Sequence, residues 1–183
     1  MLLPNKNTTL EISKLEAAKR QLKTAIMLWF YDGDPVSAHS LAYAAYDVIH
    51  AVSKERNPNR PDLLLDSRDI KPDARKQFNE AFREAGNFFK HADRDPLATL
   101  QFSPGITEIF IYYAIWGLQF AGEQLANEFV IFQNWLAVTR PEMMSEDARK
   151  VIGNGPLVEN LRTIRAMPKQ QFFEVSLQAL GTG

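Results

Sequence analysis

The sequence predicts an all-α fold, and three observations lead there. Every long segment repeats its apolar residues at three- and four-residue steps, no segment alternates with a period of two, and proline or glycine clusters cut the chain into helix-length pieces. The expected architecture is an up-and-down bundle of four or five helices over residues 1–140. Residues 141–183 are expected to form a C-terminal helical extension packed on the same domain. With 183 residues, of which 45% are apolar, the chain has the length and core content of one domain.

The first helix is expected over residues 10–31. Leu15, Ala18, Leu22, Ala25, Ile26 and Trp29 form its apolar stripe, with Lys14, Lys19, Arg20 and Lys23 between them. Asp32-Gly33-Asp34-Pro35 ends it and starts the second, Asp34 serving as cap and Pro35 as first helical residue. That second helix, 35–54, carries Ala38, Leu41, Ala42, Ala45, Val48, Ile49 and Val52 as its stripe. The segment from Asn57 to Asp62, with two prolines, opens a loop that lasts to about Lys71. Pro72 opens the third helix, expected to 91, with a stripe of Ala74, Phe78, Ala81, Phe82, Ala85, Phe89 and Ala92. A long helical run is expected over 104–138, either kinked past Gly122 or restarted near Glu123. Shorter helices are expected at 146–152, 157–167 and 169–180.

Composition excludes several classes of function. The chain has no cysteine, so disulfides, thiolate metal sites and cysteine nucleophiles are ruled out. A net charge of −1 with interspersed signs argues against a general polyanion binder, and acids and bases nearly balance between Lys54 and Arg94. The most apolar stretch, Gly105 to Gly122, contains Glu108 and Gln119, so it reads as a buried core helix rather than a membrane span. No signal-peptide pattern follows Met1, and a cytoplasmic location is expected.

Two helices show a second face. Opposite the stripe of the second helix lie His39, Tyr43, Tyr46 and His50, side chains with apolar bodies and polar tips where lysine and glutamate are usual. This face is expected to turn away from the core and to meet a second subunit. His39 and His50 stand about 16 Å apart along a helix axis, too far to chelate one metal, and no Glu-x-x-His pair accompanies them. Opposite the stripe of the third helix, Arg83, Asn87 and His91 follow at steps of four, and Lys90 and Arg94 flank them.

The run Gly33-Asp34-Pro35-Val36-Ser37-Ala38-His39-Ser40-Leu41-Ala42-Tyr43-Ala44-Ala45, followed by Gly86-Asn87-Phe88-Phe89-Lys90-His91, resembles the HEPN superfamily of small helical-bundle proteins. The resemblance implies a homodimer formed through the second and third helices. It also implies a metal-independent ribonuclease site of the kind found in bacterial defence and stress systems. The family motif is an Arg, often followed by a polar residue, with a His four to six residues beyond. Asn87 and His91 match the polar residue and the His, while Gly86 stands where the Arg belongs. Arg83, Lys90 and Arg94 are the substitute cations, and this departure implies weak cleavage at most. In such a site His91 would move the proton and a guanidinium would meet the charge growing on phosphate. No cofactor or metal is expected. Partners are a second copy of the chain, with RNA or a partner protein as what it recognises. Two rival readings are a non-catalytic protein-interaction module and a bundle that binds a nucleotide or other small ligand beside His91, Tyr43 and Tyr46.

Overall fold

The computed structural model describes residues 9–68, 70–91, 93, 95–143 and 163–181, and among them there is helix but no strand. The first helix, α1, spans Lys14–Phe30. It starts four residues later than its periodicity suggests because Ser13 caps it, its hydroxyl accepting from the Glu16 N–H at 3.1 Å. Leu15, Ala18, Leu22, Ala25 and Ile26 of the expected stripe are buried, together with Phe30.

The second helix, α2, spans Pro35–Arg56. Asp34 caps it by accepting from the Ser37 N–H at 2.7 Å. It is the central element, packed along its length against both α1 and the helix Ile106–Phe120, here α4. The loop after α2 tucks inward: Leu63, Leu64 and Leu65 are buried around a 3-10 turn, Leu64–Asp66. The next helix, α3, spans Pro72–Phe88 and buries only Ala85 and Gly86. Phe78 and Phe82 lie half-buried against the core, whereas Ala74 and Ala81 of the expected stripe are exposed. The helix ends three residues short of the expected position, 91.

The run expected over 104–138 is two helices, α4 and α5 (Asn127–Thr139). Gly122 takes φ +79°, a left-handed value that suits glycine. Its N–H donates to the Gln119 carbonyl and that of Glu123 donates to the Leu118 carbonyl, both at 3.0 Å. This bonding closes α4 with a Schellman cap and reverses the chain.

A 3-10 turn at Pro141–Met143 follows α5. Residues 163–166 are helical, and the last helix, α6, spans Lys169–Gly181 against α5 and α1. Its Phe173 is wholly buried, with its ring 4.5 Å from that of Phe30. The helix expected at 146–152, and most of that at 157–167, lies outside the described residues. Among the described residues no helix is long and apolar enough to cross a membrane.

Candidate functional site at the end of α3

The second face of α2 does not turn away from the core. His39, Tyr43 and Tyr46 are at most 2% exposed, enclosed by α3, α4 and the loop around Leu63–Leu65 of the same chain. The physical reason is the central position of α2, which is covered on both faces. Tyrosine and histidine bodies serve as core there, and the two phenol hydroxyls find local partners in Asn87 and the Leu65 N–H.

His39 sits among the rings of Tyr43, Phe89, Phe102 and Phe110, with Nδ1 3.2 Å from Thr107 Oγ1. Its Nε2 is buried without a partner among the described residues. Burial pushes its pKa down to about 4, so the imidazole is neutral at physiological pH. Tyr46 is fully buried, and its hydroxyl accepts from the Leu65 N–H at 3.1 Å. Burial raises its phenol well above the usual range.

His50 is half-buried, its Nε2 3.1 Å from Asp66 Oδ2 but without the alignment of a hydrogen bond. Burial lowers its pKa, and the facing carboxylate opposes that only in part. Asp66 also takes the Leu63 N–H at 2.6 Å and Arg60 Nη2 at 2.9 Å, and the Arg60 side chain is only 2% exposed. These contacts fix the loop onto α2.

Tyr43 links the core to the outer face of α3. Its hydroxyl donates to Asn87 Oδ1 at 3.3 Å, and Lys90 Nζ lies 4.5 Å above its ring. Burial pushes the phenol up to about 12, with Asp47 adding to the shift and Arg83 opposing it. Gly86 is packed against the same ring: a Cβ built there would stand 2.3 Å from Tyr43 Cδ1. The position that the ribonuclease motif reserves for Arg is thus occupied by a neighbouring ring, and only glycine fits.

Asn87 and His91 do come together. The His91 N–H donates to the Asn87 carbonyl at 3.1 Å, and both residues line an open hollow of about 600 Å³. Its other described walls are Glu84, Phe88, Asp93 and Asp95. Arg83 is exposed on the same helix but does not line the hollow, and Lys90 is drawn to Tyr43. Arg94 lies outside the described residues. Among the described lining residues there are three carboxylates and one imidazole, a set that attracts a cation.

Asp47, the Arg60–Asp66 pair and a cleft around Trp29, Glu108 and Lys169 were not expected from the sequence. Glu108 alone gave a signal, as the single acid inside the most apolar run. Among the described residues no three His, Asp or Glu side chains are grouped to hold a metal ion. The chain matches no family model, no curated protein and no solved structure.

Proposed function

We propose that this chain is a HEPN-like helical recognition module that works without catalysis, receiving a basic segment of a partner protein in the hollow at the end of α3. The observation that carries this reading is the set Glu84, Asp93 and Asp95 around Asn87 and His91. A lysine or arginine side chain entering there meets three carboxylates, and the Tyr43 bond to Asn87 holds the floor in place. The resemblance extends the reading to a cytoplasmic homodimer of a bacterial defence or stress system. With the second face of α2 enclosed, the outer side of α3 is the part of the dimer pair that is left to meet a second copy.

Titration with a fluorescent arginine-rich peptide tests the reading. Binding should weaken at least tenfold in Asp93→Asn/Asp95→Asn and with rising salt. Binding that ignores the double substitution rules the reading out.

A degenerate ribonuclease is the second reading, favoured by Asn87 and His91 lining one hollow. Purified protein and its His91→Ala variant, incubated with mixed RNA and EDTA, separate the two. Cleavage lost in the variant establishes the nuclease, and no cleavage by either protein leaves the recognition module.

A further inference from the structure

A second cleft lies between α4, α5 and the start of α6, and it shares no lining residue with the hollow at the end of α3. Its volume is about 410 Å³, within the range of small-molecule sites. Trp29 and Trp135 form an aromatic corner, both half-buried, with ring centroids 6.3 Å apart and ring planes inclined at 66°. Around them stand Glu108, Arg140, Arg165 and Lys169.

The charges pair unequally. Lys169 Nζ is 2.6 Å from Asp32 and 4.4 Å above the Trp29 ring, and it also donates to the Trp29 carbonyl. Its charge is compensated. Arg140 Nε faces Glu108 at 3.7 Å, which balances the second cation without a short hydrogen bond. Arg165 is exposed, and its Nε donates to the Val138 carbonyl at 2.9 Å, a neutral partner that orients the guanidinium without cancelling it. Arg165 is thus the lining cation that faces no carboxylate among the described residues, and it stands beside the aromatic corner.

We propose that this cleft binds a small monoanionic aromatic carboxylate, its carboxylate paired with the Arg165 guanidinium and its ring lying against Trp29 and Trp135. A planar guanidinium matches a carboxylate through two parallel hydrogen bonds, and an indole offers a ring a large stacking surface at little entropic cost. The hydrogen bond to Val138 holds the guanidinium plane ready before the ligand arrives.

Isothermal titration with phenylacetate, phenylacetamide, acetate and phenyl phosphate tests the assignment on the full chain. Phenylacetate should bind saturably, and phenylacetamide and acetate at least tenfold more weakly, since one lacks the charge and the other the ring. Arg165→Gln should weaken phenylacetate at least tenfold at an unchanged melting temperature. Raising salt from about 20 to about 300 mM should weaken phenylacetate and leave phenylacetamide alone, a readout that needs no variant. No saturable binding of phenylacetate, equal binding by acetate, or indifference to both Arg165→Gln and salt overturns the proposal. Phenyl phosphate binding tenfold tighter than phenylacetate overturns the monoanion assignment.

Discussion

At the scale of single residues, Gly86 and His39 show how packing decides chemistry. Alanine is the better helix former by about 1 kcal/mol, so an exposed helical glycine would gain from the change. At Gly86 the added methyl meets the Tyr43 ring, which is itself held by Phe110 and by the bond to Asn87. Gly86→Ala should therefore destabilise the protein by about 1–3 kcal/mol, read as a lowered urea midpoint at unchanged slope. Gly86→Arg, which restores the family motif in sequence, should unfold α3 rather than create cleavage. His39 makes a second prediction, with the sign fixed by its lowered pKa. The unfolded chain takes up the proton first as pH falls, so the stabilising effect is complete above about pH 6.5 and is lost towards pH 4. Between pH 7.5 and pH 5 this one group should cost on the order of 2 kcal/mol. His50 acts in the same direction, so the measurement compares the wild type with His39→Leu, whose urea midpoint should fall less over the same interval.

At the scale of elements, the break after α4 rests on one backbone angle. Any residue with a Cβ at Gly122 takes on a left-handed conformation, so Gly122→Ala should cost about 1–2 kcal/mol by thermal melting. Asp66 is the corresponding weak point of the loop after α2. Asp66→Ala would leave the nearly enclosed Arg60 without its carboxylate and the Leu63 N–H without its acceptor, a loss of about 3–5 kcal/mol, whereas Arg60→Met with Asp66→Leu should recover part of it and keep a deficit of about 1–3 kcal/mol for the unpaired Leu63 amide, read by urea titration. These two sites also mark what was legible in the sequence. The stripes of α1 and α2, the caps at Asp34 and Pro35 and the stop at Asn57-Pro58 are local signals, and each element stands close to where they put it. Gly122 announced itself as a residue but not as a reversal, because a helix can tolerate a single glycine and only the Glu123–Leu118 bond commits the chain to turn. The inward loop was invisible, since Leu63-Leu64-Leu65 has no period and its partners lie at unrelated separations, Tyr46 19 residues from Leu65 and Asp66 3 from Leu63.

At the scale of the whole molecule, periodicity gives the direction of an apolar stripe but not the number of neighbours around a helix. A helix with one covered side shows lysine and glutamate on the other. A helix enclosed on both shows the pattern of α2, with buried alanines on one side and, on the other, Tyr43, Tyr46 and His39 meeting the Phe110 ring of α4. An interface between subunits would leave the same mark in sequence, because both environments ask for apolar bodies with few polar tips. The two diverge when a charge is placed there. At a subunit interface, Tyr46→Glu would give a folded monomer. In the interior it puts a carboxylate among Phe110, His50 and Leu65, takes away the acceptor of the Leu65 N–H, and leaves a void where the ring had been. Sedimentation and circular dichroism of Tyr46→Glu should therefore show loss of helix and a lowered or absent melting transition rather than a well-folded smaller species. Tyr46→Phe, which keeps the ring and loses only the hydroxyl, should remain folded and give up about 1–3 kcal/mol for the unpaired amide.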